Sequence, residues 1–438
     1  MPKRNLALSS LLLLMWIGPP GARPVTVPPS GRGEGTSCTY GRWSGIRLID
    51  PRGSVLSTTR FPSLAVSPNV DYVVGAVGSE APKVAGLAGE RVWPPRLRAH
   101  VLGAGRPAPE LSGGFWFIHP RAVADAEGRL HVLWAEPDTP PQSAFATADL
   151  KHRHVWYARL TSAGWSRPAT VYSARELNWE TASTSEVRTD RRGLLYFAFI
   201  VEDSVGTAIV VIRHGRDSAS GVAWDHVLVR PRWPPVYVDL TVAQSGSVSL
   251  VYAAAGTPRG GVGRSNVLYL QSGPFETLGT SAPRELAFSD SAPSFEPRVA
   301  MAKGGGVHLV WLRLPDVASA SPAIEYALLD ASGMATRRAT LTLSVTPARL
   351  RFAVDVCETP HVIFESYSRD QQAIRYARVE NGRWSAVQGK IGTGQGSQPS
   401  LRVDGNRLRA AWNVAPEFEV PGSLPTSGLF VAELGIRQ

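Results

Sequence analysis

The chain has 438 residues, of which 43% are hydrophobic, and it contains 42 glycines and 35 prolines. That length allows a large core, whereas so many glycines and prolines exclude long helices. The net charge is +10, but the arginines are scattered and no aromatic residues alternate with them, so a nucleic-acid partner is not expected. No window has the apolar spacing of an amphipathic helix, which predicts an all-β protein.

The N-terminus is typical of a signal peptide covering residues 1–22. A basic start is followed by an apolar stretch and then by small residues suited to cleavage. Residues 23–38, rich in proline and glycine, are predicted to form a disordered leader before the domain at residues 39–438. Because the apolar stretch is short and no second one follows, we expect a secreted or periplasmic protein that does not span a membrane.

A hairpin pattern at residues 120–134 is the first clear copy of a repeat. Two alternating strands flank a turn at Asp125–Gly128, and the second strand ends on an aromatic residue. A weaker copy precedes it at residues 71–77. The aromatic returns roughly every 50 to 60 residues, as Trp134, Phe199, Tyr252, Trp311, Phe364 and Trp412.

Each copy also carries the marks of a third and a fourth strand. A tyrosine indicates the third strand, as at Tyr157 and Tyr376, and Gly-Trp-Ser or a similar string begins the fourth, as at residues 164–166. Four short antiparallel strands in roughly 50 to 60 residues are the period of a propeller blade. We therefore predict a single β-propeller of seven four-stranded blades, or six if the weak first copy is not a blade.

The two ends of the chain are predicted to complete one blade. The last copy lacks a fourth strand, whereas residues 41–44 repeat the Gly-Arg-Trp-Ser of residues 382–385. An N-terminal strand within residues 39–49 would close the ring and remove free sheet edges. It would also place Cys38 and Cys357 on one face. A disulfide between them is predicted in an oxidising compartment, with two separate thiols as the alternative.

The successive marks of the repeat are a proline in the first strand, an Asp-x-x-Gly turn, His-Val-x-Trp, Tyr-Ala-Arg and Gly-x-Trp-Ser. With these marks the repeat resembles the bacterial neuraminidase repeats of sialidase-like β-propellers. The resemblance covers nearly all of residues 39–438. Two family features are altered: Ala219 replaces the aspartate of an Asp-box, and Arg60-Phe61-Pro62 stands in place of Phe-Arg-Ile-Pro. The resemblance implies the fold more strongly than the activity, because one fold hosts many functions.

One position of the repeat, thirteen residues before the closing aromatic, is charged in five copies. Equivalent positions of the first strands face the propeller axis, so these side chains are expected to converge at a wet channel entrance. Three arginines suit a carboxylate ligand, whereas ion pairs without a function are the plainer interpretation. The five residues at this ring position are Arg121, Glu186, Asp239, Arg298 and Arg351, with Ser63 in the first copy and Pro399 or Ser400 in the last.

The sialidase resemblance implies a role for each of these groups. Arg121, Arg298 and Arg351 would hold the carboxylate of an acidic sugar. Glu186 or Asp239 would be the acid, and Tyr367 beside Glu365 would form the nucleophile pair. Glu136, in a loop after a second strand, is a further candidate for ligand contact because such loops carry specificity.

No metal or other cofactor is expected. The histidines three residues before the aromatic (His131, His308 and His361) belong to separate blades, and zinc ligands must meet within a few ångströms, so a structural role is predicted for them.

Two classes of function remain open on this sequence. The altered Asp-box and the altered Phe-Arg-Ile-Pro slightly favour a monomeric propeller that binds a glycan, or an envelope protein, without catalysis. The alternative is a glycoside hydrolase of the sialidase type that acts on an acidic sugar. A protein-interaction scaffold of the cell envelope is a third possibility.

Overall fold

The computed structural model describes sixteen stretches of the chain, and most of their residues lie in strands. The predicted signal peptide, and the predicted leader up to residue 37, lie outside the described residues. The described residues are 38–50, 60–67, 69–77, 96–103, 108–111, 118–137, 152–179, 183–218, 221–255, 266–286, 293–314, 321–368, 371–385, 391, 396–414 and 428–437.

The strands are short, with between two and twelve residues each. The first half of the chain contains β1 (Thr39–Tyr40), β2 (Ser44–Asp50), β3 (Arg60–Val66), β4 (Asp71–Val77), β5 (Arg96–Val101), β6 (Ile118–Ala124), β7 (Leu130–Pro137), β8 (His152–Thr161), β9 (Gly164–Trp165), β10 (Ala169–Asn178), β11 (Arg188–Thr189), β12 (Leu195–Glu202), β13 (Thr207–Ser218) and β14 (Gly221–Val229).

The second half has the same character, with one short 3₁₀ helix at Phe275–Thr280. Its strands are β15 (Pro235–Val242), β16 (Ser247–Ala255), β17 (Asn266–Pro274), β18 (Arg284–Glu285), β19 (Ser294–Met301), β20 (Val307–Arg313), β21 (Ala323–Leu329), β22 (Ala335–Thr342), β23 (Thr346–Val354), β24 (Pro360–Ser368), β25 (Gln371–Glu380), β26 (Arg383–Trp384), β27 (Gly396–Asp404), β28 (Arg407–Val414) and β29 (Gly428–Arg437).

The sheets are antiparallel and pair their strands in chain order. Strands β15–β18, β19–β22 and β23–β26 form three sheets of four strands each, and β3–β5 form a sheet of three. We number the repeats one to seven along the chain, beginning with β3–β5. The second and third repeats differ from the prediction, because β10 pairs with β8 on one side and with β12 on the other. These two repeats therefore share one nine-stranded sheet.

The N-terminal strands join the last sheet of the chain. Both β1 and β2 pair with β29, so that Tyr40 lies opposite Ile436 and Arg47 lies opposite Val431. Cys38 and Cys357 form the predicted disulfide, with their Cα atoms 6.2 Å apart. The bond ties the start of β1 to the turn between β23 and β24. The described residues contain no helix of the length and apolar character that a membrane crossing requires.

The hydrophobic core lies between neighbouring sheets. The repeated aromatic residues are among its largest members, and all six of them are at most 1% exposed. Burying such rings is the main gain of packing one sheet against the next. In the same way Leu64 and Val73 of repeat one pack against Ala411, Leu429 and Val431 of repeat seven. The first and last repeats of the chain are therefore in contact.

The repeated histidines are buried in hydrogen-bond networks at the hairpin turns. The Nε2 atom of His361 lies 3.0 Å from Asp355 Oδ2, and its Nδ1 atom lies 2.8 Å from the hydroxyl of Tyr376. The corresponding histidine of repeat two contacts an aspartate and a tyrosine in the same way, whereas that of repeat five uses a glutamate of repeat six. Among the described residues, no group of His, Cys, Asp and Glu side chains could hold a metal ion.

Candidate functional site

The ring position lies inside the first strands of repeats two, four, five and six, and in repeat three it lies two residues before β11. Arg121, Arg298 and Arg351 stand opposite buried residues in the middle of β6, β19 and β23. The exposed fractions of the five ring residues run from 0 to 5%. The expectation of a wet entrance was therefore wrong, because the structure buries these charged side chains in the interior.

Glu186 is surrounded by arginines from three other repeats. Its carboxylate accepts a hydrogen bond from Arg402 Nη2 at 2.5 Å, and it lies 3.6 Å from Arg351 Nε and 3.8 Å from Arg121 Nη1. Burial alone would raise the pKa of Glu186, but the arginines, Arg402 foremost, hold that pKa well below its usual range. Glu186 therefore stays ionised and occupies the guanidiniums predicted to bind a substrate carboxylate.

Asp239 links the first strands of adjacent repeats. Its Oδ1 atom accepts the backbone N–H of Glu186 at 3.2 Å, and its Oδ2 atom accepts the backbone N–H of Val299 at 3.0 Å. Arg188 Nη2 lies 4.0 Å from the same Oδ2 atom. Both carboxylate oxygens thus face donors of the protein. This geometry gives Asp239 a cross-linking role between repeats three, four and five.

Two further arginines, which were not predicted from the sequence, belong to this interior group. Arg188 and Arg402 lie two residues beyond the ring position of repeats three and seven, and alternate residues of a strand share a face. That alternation was the signal that could have identified them. With Arg121, Glu186, Asp239, Arg298 and Arg351 they form a group that we call the arginine cluster.

The two serines predicted at the ring position bind neighbouring strands. The Oγ atom of Ser400 accepts the N–H of Leu64, and that of Ser63 accepts the N–H of Ala122, each at 3.0 Å.

The arginine cluster carries a high cost of desolvation. Burial lowers the pKa of Arg121 to about 10 and that of Arg351 to about 9, and neighbouring arginines act in the same direction. Some of their donors are engaged by the protein itself. Arg121 donates to Thr184 Oγ1 at 2.7 Å, and Arg298 donates to the carbonyl of Leu350 at 3.1 Å. A buried network of this kind fixes the packing of the repeats.

A second polar group lies where β23 begins and β24 ends, and we call it the Tyr367 cluster. Its centre is the carboxylate of Glu365, which is fully buried. Arg349 Nη1 lies 3.0 and 2.9 Å from the two carboxylate oxygens, and Gln372 Nε2 donates to Oε2 at 3.1 Å. The backbone N–H of Gln398 and the hydroxyl of Tyr367 also donate to this carboxylate.

Two members of the Tyr367 cluster reach solvent. Tyr367 is 38% exposed, and the side chain of Arg349 is 35% exposed. Burial of the rest of the ring raises the pKa of Tyr367, and the Glu365 carboxylate raises it further. The phenol therefore keeps its proton near neutral pH and donates a hydrogen bond to Glu365. The cluster presents a guanidinium and a phenol to solvent, both held by one buried carboxylate.

β-Bulges in the first strands set the direction of several side chains in and beside the Tyr367 cluster. The first strands of repeats five, six and seven each contain a β-bulge just before the ring position. Glu296, Arg349 and Gln398 lie at these bulges with φ values of 46°, 49° and 53°. A non-glycine residue in the left-handed region is strained, and such strain is concentrated at functional sites. Bulges also redirect side chains, often beside an active site.

Glu136 was predicted to lie in a loop, but it lies within strand β7. It is half-buried near the end of β7, opposite His154 of β8, in repeat two. The structure therefore brings Tyr367 and Glu365 together, and it separately brings together Arg121, Glu186 and Arg351. The functional roles predicted for these residues stay predictions.

Comparison with known proteins gives likeness of structure only. The sequence matches no protein-family model and resembles no curated protein. A protein of unknown function from Dyadobacter fermentans is 14% identical, with a TM-score of 0.50 over 90% of this chain and 99% of that chain. An ulvan lyase of polysaccharide lyase family PL25 is 12% identical, with a TM-score of 0.53 over 91% of this chain and 98% of its own.

A third solved structure, the polysaccharide lyase Uly1, is 11% identical, with a TM-score of 0.48 over 93% of this chain and 94% of that chain. At such identities the first two structures show a shared fold and no shared activity. That fold is an all-β, propeller-like arrangement of antiparallel sheets.

Proposed function

We propose that this chain is an exported, sialidase-like β-propeller of seven blades that binds an acidic glycan through the Tyr367 cluster. Ring closure is supported by the pairing of β1 and β2 with β29 and by the contact between the first and last repeats. Export to the periplasm or the medium is supported by the Cys38–Cys357 bond, because disulfides persist in oxidising compartments.

The observation that carries the proposal is the shared anchoring of Arg349 and Tyr367. Both side chains are partly exposed, and both bind the buried carboxylate of Glu365. A planar guanidinium suits the carboxylate of an acidic sugar, and a phenol offers both an apolar face and a hydroxyl. Glu365 fixes both side chains before the ligand binds. Binding therefore costs little further side-chain conformational entropy.

The arginine cluster is a weaker candidate for the same ligand. Arg121, Arg351 and Arg402 are at most 9% exposed, and their guanidiniums already contact Glu186. A sugar carboxylate would have to enter the interior and displace a side chain that is covalently part of the cluster. The effective concentration of that internal carboxylate makes such displacement unfavourable.

Calorimetric titration with three probes tests the binding function. Sialyllactose and tetragalacturonate carry carboxylates, whereas maltotetraose is neutral. We expect saturable binding of at least one acidic probe, and Arg349→Gln should weaken it roughly 10-fold or more, as for loss of a hydrogen bond to a charged group. Arg383→Gln is the matched control, because Arg383 is an exposed arginine of the same repeat. Equal binding of the neutral probe, or unchanged affinity in Arg349→Gln, would refute the proposal.

Glycoside hydrolysis is a second candidate, favoured by the hydrogen bond from Tyr367 to Glu365. A carboxylate in that position could take the phenol proton as the phenol oxygen attacks the anomeric carbon, while the glycosidic bond breaks and the leaving oxygen takes a proton from water. A water molecule would then release the sugar from the tyrosine, and the proton held by Glu365 would return to the phenol oxygen. Fluorogenic sialosides and uronides provide the measurement. We expect Tyr367→Phe to abolish turnover while leaving most of the glycan affinity intact. The absence of turnover on every such substrate by the unmodified protein would leave binding as the sole function.

A further inference from the structure

Two partly exposed aromatic rings lie on the first strands of repeats four and five, and the Tyr367 cluster lies in repeat six. Tyr237 lies at the irregular start of β15, and Phe295 lies just before the bulge of β19. Their ring centroids are 5.9 Å apart with an interplanar angle of 70°. Both residues are half-buried. Tyr237 packs against the core around Trp311 and Phe295 against the core around Phe364, and each residue keeps part of its surface exposed.

One carboxylate fixes this aromatic pair relative to the Tyr367 cluster. Phe295 is followed directly by Glu296, which crosses to the next repeat. Glu296 Oε1 accepts the backbone N–H of Arg349 at 3.1 Å, and its Oε2 atom accepts the N–H of Leu350 at 2.8 Å. Arg349 is thereby held by Glu296, the residue that directly follows Phe295. Rings and guanidinium form one row across repeats four, five and six.

The row is longer than one sugar. The Tyr237 and Phe295 ring centroids are 5.9 Å apart, and sheets packed face to face lie roughly 10 Å apart, so the row that ends at Arg349 is about 15 Å long. The row has the charged Arg349 at one end and the aromatic rings of Phe295 and Tyr237 along the rest. This arrangement is complementary to a chain of pyranose units that carries a carboxylate. The carboxylate of such a chain would meet Arg349, and the apolar faces of its sugars would lie against Phe295 and Tyr237.

We infer that the site binds an acidic oligosaccharide and not a single acidic sugar, with Phe295 and Tyr237 as the residues that contact the second and later units. This inference rests on the proposed glycan binding and extends it. The aromatic pair determines preference for chain length, and Arg349 determines preference for charge.

Titration with galacturonate, its dimer, its tetramer and its hexamer tests the inference. For the unmodified protein, affinity should rise about 10-fold or more from monomer to tetramer, as expected for two aromatic contacts. Phe295→Ala and Tyr237→Ala should lose that gain and bind the monomer unchanged. Arg349→Gln should weaken binding at every length by the same factor. Tyr269→Ala is the matched control, because Tyr269 is a half-buried tyrosine on β17, away from the first strands.

The possible failures are distinguishable. If no galacturonate of any length binds, the site does not take this class of acidic chain and the inference is overturned; sialyllactose bound by Arg349 would still uphold the proposed function. If monomer and tetramer bind equally, the extended site alone is overturned. The same holds if Phe295→Ala weakens all lengths alike. Phe295→Tyr, which keeps a ring, must restore the length dependence, and this restoration separates loss of contact from loss of folding.

Discussion

Glu186 determines what the arginine cluster can bind, because its carboxylate already lies where a ligand carboxylate would lie. Arg402, Arg351 and Arg121 belong to three different repeats and approach the same two oxygens. The sequence predicted the grouping of arginines from their shared repeat position. It could not predict the burial, because that depends on how side chains from opposite repeats fill the space between the strands. For this reason the proposed ligand site uses Arg349, which reaches solvent.

Glu186→Ala should destabilise the protein and should be rescued by small carboxylates. Removing one partner of a buried ionic network typically costs about 3–5 kcal/mol, because the remaining charges stay buried. Formate should recover part of this loss by binding the space left among Arg402, Arg351 and Arg121, since a ligand that binds only the folded state stabilises it. The measurement is thermal unfolding in sodium formate against sodium chloride at equal ionic strength.

Glu186→Gln is the matched control for this effect. It keeps the volume of the side chain and removes its charge, so it should lose stability without a rescue by formate. A formate effect of the same size on the unmodified protein would show that the arginine cluster is not the binding place.

Among the structural elements, the hairpins were the most predictable. The strand of residues 71–77, the turn at Asp125–Gly128 and the third strands marked by tyrosines all lie where the alternation placed them. Side-chain alternation and turn residues are local signals, so they can be recognised without knowing the rest of the fold. The double pairing of β10 was missed because a long-range register is decided by which strands meet in space.

The histidine networks at the turns predict a loss of stability in mild acid. Burial lowers the pKa of His361 below its usual value, although Asp355 acts in the opposite direction. The folded state therefore holds this imidazole neutral, while the unfolded chain takes up a proton below about pH 6.5. Stability is fully present above that pH and is lost as the pH falls through the lower pKa of the folded state. His308 follows the same direction for the same reason.

Urea unfolding at several pH values between about 5 and 8 measures this dependence. His361→Gln should show a smaller fall in the free energy of unfolding across that range than the unmodified protein. His154→Gln is the matched control, because His154 is exposed on β8. An unchanged pH profile in His361→Gln would disprove the assignment of this loss to the turn network.

For the whole molecule, the repeat period and the matching ends of the chain were strong guides. The Gly-Arg-Trp-Ser of residues 41–44 predicted a strand beside the last sheet, and β2 pairs with β29 there. The ligand could not be predicted in the same way, because the residues that reach solvent are selected by bulges. Arg349 and Gln398 have no sequence mark of their left-handed backbone.

The Cys38–Cys357 bond should stabilise the whole molecule through its effect on the unfolded chain. It joins residues 319 apart in sequence and ties the N-terminal strands, which pair with β29, to the turn between β23 and β24. Linking such distant points lowers the conformational entropy of the unfolded chain. This effect typically adds about 2–4 kcal/mol to the free energy of unfolding. The double variant Cys38→Ser/Cys357→Ser should therefore unfold at a lower temperature, and a protease should cut its N-terminal strands before the remaining sheets.

Reduction of the unmodified protein with dithiothreitol is the control, because it opens the same bond without changing a residue. Reduced protein and double variant should give the same fragments, since Tyr40 keeps its hydrogen bonds to Asp355 and Thr359 in both. If β1 and β2 close the ring, their release exposes the edge of β29, and aggregation on heating should increase in both samples. Protease resistance equal to that of the oxidised protein would show that strand pairing alone holds the N-terminus.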